Sequence, residues 1–179
     1  MRIQFNINRK KTLEAVLWVL NQRNEVNMYN LLKIFFHADV LSMNLHGRPI
    51  TGDNYLAYQF GTVPENIYFG LIRNDPIYME LFEIDDVPIN YDKRRYQLST
   101  KRKADVEYLS ISDIECLNKG IDEYIDLSFQ EAKEKNHSHS AWKNAYRKSP
   151  NSVIDWYDLI EEQYLRDDLS GGWSELMVI

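Results

Sequence analysis

A short segment at residues 46–64 constrains the fold of this chain more than any other. It holds three of the seven glycines and two of the five prolines, placed around a run from Tyr55 to Gln59 that has the composition of a β-strand. Glycine permits backbone angles that other residues rarely adopt, and proline fixes its own φ angle. The sequence therefore predicts a closely specified turn–strand–turn path here, in a chain whose pattern is otherwise mostly helical.

The bulk composition predicts one domain with a core of ordinary size, since 44% of the 179 residues are hydrophobic and 27% are charged. The single cysteine, Cys116, excludes an intramolecular disulfide and is typical of a reducing compartment. The first residues lack the apolar run of a secretory signal, and no apolar stretch approaches the ~20 residues that span a bilayer. We therefore expect a cytoplasmic protein without a membrane anchor.

Charge is distributed unevenly along the chain, whose net charge is −6. Residues 1–103 carry 14 basic and 11 acidic side chains, whereas residues 104–179 carry 7 basic and 16 acidic ones. The overall acidity argues against nucleic acid as the main partner. The difference between the two halves is compatible with a partner surface and with solvated faces alike.

Hydrophobic spacing predicts a helix-rich α+β domain with a small antiparallel sheet of about three strands. Helices are expected at 11–20, 28–44, from Pro64, from Ser112, at 129–135, around 141–146 and at 153–164. Strands are expected at 55–59, 81–90 and 96–100, all in one sheet. The helix at 28–44, which Asn27 can cap and Gly47 can end, has few polar positions and is expected to be the buried central helix.

Residue types that carry chemistry occur here in weak patterns. His137 and His139 lie two residues apart with no further histidine or cysteine nearby, whereas structural zinc requires four ligands. Cys116 lies among apolar neighbours on a predicted helix, where a small buried side chain is its usual role. The glycines of the 46–64 segment are spaced too widely for a phosphate-binding loop. A histidine-dependent metal enzyme is the weakest function considered, and no metal or cofactor is expected.

Two basic triplets flank the last predicted strand, and they comprise Lys93, Arg94, Arg95, Lys101, Arg102 and Lys103. On a hairpin, we expect the triplets at or near the same end or edge. Such charge either binds an acidic partner or protects an exposed sheet edge, and protection is the commoner use. Trp173 and the apolar end after it are a second candidate contact, because such a segment docks on its own domain or on a partner.

Several stretches of this chain together resemble a known family. They are residues 33–39, 47–53, Tyr55 and 60–64, followed by the helix from Ser112 and by His137 five residues before Trp142. This pattern resembles the Panacea domain of the SocA-like antitoxin family, which is also met in GepA-type phage-associated proteins. The resemblance covers about residues 10–165 of the single domain expected at 1–179 and leaves a tail at 166–179. Thr62 replaces a proline that is usual in the family.

The resemblance implies an antitoxin that neutralises a cognate protein toxin by direct binding, without catalysis or a cofactor. It identifies neither the toxin nor the oligomeric state of the chain. The signature residues are Asp39, Gly47, Arg48, Pro49, Gly52, Tyr55, Gly61, Pro64, His137 and Trp142. We interpret them as scaffold residues, with Arg48 paired to Asp39, and we expect the toxin to contact the basic triplets and Trp173. The alternative is a phage or prophage accessory adaptor that binds a host protein.

Overall fold

The computed structural model describes residues 5–84, 86–161 and 166–167. It forms α-helices at Arg9–Leu20 (α1), Met28–His46 (α2), Pro76–Phe82 (α3), Ile111–Tyr124 (α4), Phe129–His137 (α5) and Ser140–Lys148 (α6). A π-helical segment at Ile67–Ile72 precedes α3, and short 3-10 turns occur at Val106–Tyr108 and Trp156–Leu159. The predicted helix-rich α+β class is confirmed. Within the described ranges, no helix is both long and apolar enough to cross a bilayer.

Short strands occur at Val26–Asn27 (β1), Tyr55–Tyr58 (β2), Gly61–Pro64 (β3), Ile89–Asp92 (β4) and Gln97–Thr100 (β5). They form two antiparallel sheets, one of three strands in the order β1-β5-β4 and one made of β2 and β3. The prediction that residues 55–59 belong to the three-stranded sheet is wrong. Tyr58 pairs with Gly61 across a two-residue turn, so β2 folds back on β3 instead. The third strand of the larger sheet is β1, where Val26 pairs with Leu98.

The central helix α2 begins and ends where the sequence predicts a cap and a stop. The Asn27 side chain caps its first turn, and Gly47 closes it with a left-handed φ of +66°. Pro49 then lies half-buried in the turn that follows. Gly120 of α4 passes so close to α2 that an added Cβ would lie 2.8 Å from the Ile34 carbonyl oxygen. A side chain at that position would therefore force the two helices apart.

Helices α2 and α4 run antiparallel. Asn30, near the start of α2, donates from its side chain to the Leu127 carbonyl just beyond α4 at 2.8 Å. Arg48, just after α2, donates to Asp113 in the first turn of α4 at 2.9 Å. Because α2 has 19 residues, these two contacts are separated by about 28 Å of helix. The helix pair thus presents two distant ends, and each end carries its own group of side chains.

The buried apolar side chains form two adjoining clusters. The larger one packs α1, α2, α4 and the three-stranded sheet together and includes Leu17, Phe35 and Cys116, so the cysteine is buried as predicted. The smaller one places aromatic rings between α2, β2 and α6. In it the Tyr55 ring lies edge-on to Phe36 at 5.3 Å and to Trp156 at 5.8 Å between centroids. Tyr55 therefore packs residues 46–64, which we term the signature segment, onto the second cluster.

The region between residues 64 and 90 departs from the prediction. Pro64 is the last residue of β3 rather than the first of a helix, although helical structure follows directly. In the strand expected at 81–90, residues 81–82 end α3, the described residues 83–84 and 86–88 belong to no strand, and only the start of β4 is extended. The start signal of α3 is Asp75, whose side chain accepts a hydrogen bond from the Ile77 amide, with Pro76 as the first helical residue.

Two further predictions are shifted in the second half of the chain. The helix expected from Ser112 begins at Ile111, because Ser110 and Asp113 exchange backbone and side-chain hydrogen bonds in a capping box. The helix expected at 153–164 is a single 3-10 turn over its described part. Val153 instead pairs with Leu56 and extends the edge of β2. The segment after α6 thus joins the smaller sheet.

Candidate functional site

The signature segment folds around one buried carboxylate, Asp39 on α2. Its Oδ1 accepts hydrogen bonds from the amides of Ile50 at 2.7 Å and Thr51 at 3.1 Å. Its Oδ2 accepts from the Tyr55 hydroxyl at 2.7 Å and also from the Thr51 hydroxyl. Burial raises the pKa of Asp39, and these four hydrogen bonds oppose the rise. The turn and strand β2 are thereby attached to the central helix.

The predicted pair between Arg48 and Asp39 is wrong. Arg48 donates to Asp113 at 2.9 Å, and Lys11 of α1 contacts the other carboxylate oxygen of Asp113 at 2.8 Å. Burial of Asp113 acts to raise its pKa, but hydrogen bonds from Lys11 and Ser110 are among those that lower it overall. Arg48 therefore joins the signature turn to α1 and α4, whereas Asp39 is satisfied by backbone and hydroxyl donors.

A second buried carboxylate, Asp53, holds the far end of the segment and was not predicted. It accepts from the Asn66 side chain at 2.7 Å and from the amides of Asn66 and Ile67, both at 3.0 Å. Burial raises the pKa of Asp53 to about 7 against these hydrogen bonds. At the preceding residue, Gly52 has a φ of +70°, and an added Cβ would lie 2.8 Å from the Asn6 carbonyl oxygen. Glycine is required there by conformation and by space.

A buried lysine lies beneath the turn between β2 and β3. The Lys33 Nζ donates to the Thr62 carbonyl at 2.6 Å and lies 4.4 Å from the centre of the Tyr29 ring. No described carboxylate pairs with it, and burial lowers its pKa to about 7. The signal for it was in the sequence, because Lys33 stands at a core position of a helix with few polar residues.

Thr62 and Asn136 form a reciprocal pair that joins β3 to α5. The Thr62 amide donates to Asn136 Oδ1 at 2.8 Å, and Asn136 Nδ2 donates to Thr62 Oγ1 at 3.0 Å. A proline at position 62 has neither the amide hydrogen nor the hydroxyl that this pair uses. Gly61, with a φ of +109°, brings the turn against the pair. An added Cβ would overlap Asn136 Oδ1 and lie 3.0 Å from Lys33 Cε.

The two histidines considered as metal ligands have other contacts. His137 stacks on Trp142 with 3.7 Å between ring centroids, and Trp142 donates to the Tyr58 carbonyl at 3.0 Å. His139 caps α6, since its Nδ1 accepts from the Ala141 amide at 3.3 Å. In the part of the chain that the structure describes, no group of three or more His, Cys, Asp or Glu side chains is arranged to hold a metal ion.

The basic triplets lie at opposite ends of the β4–β5 hairpin rather than at the same end. The first occupies the turn and the second follows β5, because Asp92 pairs with Gln97 and Ile89 with Thr100. Three of the six side chains form ion pairs: Arg95 with Glu25 and Asp92, Lys101 with Asp86, and Arg102 with Glu14. No described carboxylate lies within 4.0 Å of Lys93, Arg94 or Lys103. Trp173 lies outside the described residues.

Three exposed aromatic side chains that the sequence did not single out meet around a cleft of about 570 Å³. Phe60, Tyr96 and Phe129 are 48%, 56% and 49% exposed. The Tyr29 ring lies 4.5 Å from that of Phe129, and its hydroxyl donates to the Phe60 carbonyl. We term the surface of these four residues the aromatic cleft. The available signal was Phe60, an apolar residue beside Gly61 where turns favour polar ones.

Comparison with protein families gives one match. The model described as antitoxin SocA-like, Panacea domain matches residues 31–143, a stretch that contains most of α2, all of α3 to α5 and the start of α6. All ten signature residues lie within it. Comparisons with curated proteins and with solved structures gave no match. Because the matched stretch covers more than half of the chain, the chain belongs to the SocA-like antitoxin family of Panacea domains.

Proposed function

We propose that this chain is an antitoxin that neutralises a cognate protein toxin by binding to it directly. The observation that supports this most is the family match over residues 31–143, which contains the whole signature segment. The family implies a protein partner rather than a substrate or a cofactor. His137 and His139, which the weaker metal-enzyme alternative requires, are engaged in ring stacking and helix capping.

The toxin contacts are expected to avoid the buried signature residues. Asp39, Asp53 and Tyr55 are almost wholly buried, so they act on the partner only through the shape of the domain. On the β4–β5 turn, Lys93 and Arg94 are exposed and have no described ion-pair partner, which leaves their charge available to an acidic surface. We therefore place part of the toxin contact at this turn, with Lys103 as a separate basic residue at the far end of the hairpin.

The test begins with the genes beside the one that encodes this chain. Each neighbour is expressed alone from a repressed promoter, and any toxic product is then co-expressed with this chain. We expect restored growth and a complex of the two purified proteins that elutes together in size-exclusion chromatography. Rescue without a complex would contradict direct binding. If no neighbour is toxic, the antitoxin proposal fails, and capture of a host protein would then support the phage adaptor.

A pair of charge variants tests the turn. Lys93→Glu/Arg94→Glu is expected to weaken the complex at least about tenfold, because charge reversal at a complementary rim slows association and adds repulsion. The matched control is Lys10→Glu/Lys148→Glu, which changes the net charge equally at exposed positions on α1 and α6. Equal affinities of the two variants would remove the turn from the interface while leaving neutralisation itself intact.

A further inference from the structure

The aromatic cleft is assembled from four segments that are remote in sequence. Tyr29 lies on α2, Phe60 on the β2–β3 turn, Tyr96 on the β4–β5 turn and Phe129 at the first position of α5. The Phe60 and Phe129 rings meet edge to face at 5.6 Å between centroids, with Tyr29 tilted against Phe129. The tertiary fold, rather than one amphipathic helix, brings these rings to a single surface.

None of the three exposed positions needs an aromatic side chain for the fold. Phe60 stands in a two-residue turn, where small polar residues are favoured. Tyr96 has a φ of +56°, which is unusual for a bulky residue and is better suited to asparagine or glycine. Phe129 begins a helix whose capping box is formed by Ser128 and Glu131. A single exposed apolar ring is ordinary, but several that form one contiguous patch mark an interaction surface.

The free charge around the cleft is positive. The Lys133 Nζ lies 5.7 Å from the centre of the Phe60 ring, and Arg94 and Lys93 lie two and three residues before Tyr96 on the same turn. The neighbouring carboxylates are already engaged. Glu25 and Asp92 form ion pairs with Arg95, and Glu131 accepts hydrogen bonds from the Ser128 amide and hydroxyl. An occupant of the cleft therefore meets cations that no described carboxylate neutralises.

We propose that the aromatic cleft receives a segment of the toxin in which an aromatic or branched aliphatic side chain is flanked by carboxylates. The apolar side chain enters between the Phe60 and Phe129 rings above Tyr29, and the carboxylates meet Lys133 on one side and Arg94 on the other. Aromatic anchors in such a pocket carry most of the affinity of a typical interface, and the charges at its rim select the partner. This inference rests on the proposed function, since it names the surface and the chemistry by which the toxin is recognised.

The test compares two double variants in the full chain. Phe60→Ala/Phe129→Ala removes the rings of the cleft. Val106→Ala/Ile111→Ala removes side chains that are 49% and 79% exposed near Asp113, at the opposite end of the α2–α4 pair. Both variants are expected to melt within a few degrees of the wild type. The cleft variant is expected to bind the neighbour-encoded toxin at least about tenfold more weakly and to lose rescue, while the control keeps both.

A single substitution provides a second test in case Phe60→Ala/Phe129→Ala does not fold. Lys133→Glu reverses the charge above Phe60, and Lys143→Glu is its control at an exposed position of α6. We expect the first to weaken the complex and the second to leave it unchanged. Toxin binding by both cleft variants at wild-type affinity would overturn the inference, while rescue by the wild type would keep the antitoxin function intact.

A peptide assay tests the cleft without the toxin. The probe is a fluorescein-labelled heptapeptide with a glutamate–tryptophan–glutamate centre, read by fluorescence anisotropy against the full chain. Two matched peptides replace the glutamates by lysine or the tryptophan by alanine. We expect binding of the first peptide alone, with at least about a tenfold loss in Phe60→Ala/Phe129→Ala. If the wild type does not rescue growth, the antitoxin proposal fails, but the peptide assay still tests the aromatic cleft. Equal or undetectable binding of all three peptides would overturn the proposed ligand of the cleft.

Discussion

The signature segment and the β4–β5 hairpin are both short, turn-rich and charged, yet they direct their charges in opposite ways. In the signature segment, Asp53 is fully buried, and so is Asp39 beneath it on α2; both accept hydrogen bonds mainly from backbone amides and hydroxyls. In the hairpin, Lys93 and Arg94 are exposed and meet no described carboxylate. The buried carboxylates of the first region stabilise the fold, whereas the exposed cations of the second remain available at the surface. A family signature made of the first kind of residue identifies the scaffold and says little about the partner.

The largest expected difference between the two regions concerns their carboxylates. Asp39→Ala leaves the amides of Ile50 and Thr51 buried without an acceptor, so we expect it to lower the free energy of unfolding by about 3–5 kcal/mol. In the hairpin region, Asp86→Ala breaks an exposed ion pair with Lys101 and is expected to cost no more than about 0.5 kcal/mol. Urea unfolding measures both. Similar losses in the two variants would contradict the division between scaffold and surface.

The next difference concerns two lysines and appears as a pH dependence. Lys33 has a pKa of about 7 in the folded chain and ~10.4 when unfolded, so between these values the unfolded chain binds more protons. The free energy of unfolding of the wild type should therefore rise relative to that of Lys33→Met as the pH increases from 7 to 9, by at most about 1.4 kcal/mol per pH unit. Below pH 7 the difference should level off, because Lys33 is then protonated in both states.

Lys93→Met is the matched control for that experiment, since Lys93 is exposed on the hairpin turn. Its free energy of unfolding, measured with urea, should differ from that of the wild type by the same amount at pH 6, 7, 8 and 9. If Lys33→Met also shows a constant offset, then Lys33 keeps an ordinary pKa and is not an isolated buried charge.

The smallest expected difference in unfolding free energy is between two arginines of the hairpin region. It separates an arginine that stabilises the fold from one that is exposed at the surface. Arg102 donates to both oxygens of Glu14 at 2.6 and 2.8 Å, and the Glu14 side chain is 7% exposed. Arg102→Ala should therefore cost about 2 kcal/mol, whereas Arg94→Ala should stay within about 0.5 kcal/mol of the wild type. Thermal unfolding of the two variants decides this. A harmless Arg102→Ala would return that residue to the candidate partner surface.

The parts of the fold that could be predicted are those set by local signals. Asn27 and Gly47 each act through a hydrogen bond or a φ angle of their own turn, and each lies where the sequence places it. A three-stranded antiparallel sheet was predicted correctly, but its third strand was assigned to residues 55–59 instead of β1. Strands of four residues carry little pattern, and a two-residue turn at 59–60 competes with pairing to a distant hairpin. Length and alternation do not choose between those partners.

The predictions for the site failed where contacts join residues that are distant in sequence. The spacing of nine residues between Asp39 and Arg48 suggested a local ion pair, but Arg48 finds Asp113 at a separation of 65 residues. No local pattern carries such a contact. The aromatic cleft was missed for the same reason, since its rings come from positions 29, 60, 96 and 129 and are ordinary residues until the fold joins them.

The pairing of Thr62 with Asn136 also sets an order of events during synthesis. The two residues are 74 positions apart, so at 5–20 residues per second Thr62 leaves the ribosome about 4–15 s before its partner. Throughout that interval the Thr62 amide lacks its native acceptor, and α5 does not yet cover the turn above Lys33. The β2–β3 hairpin therefore reaches its native hydrogen bonding only when translation has passed α5.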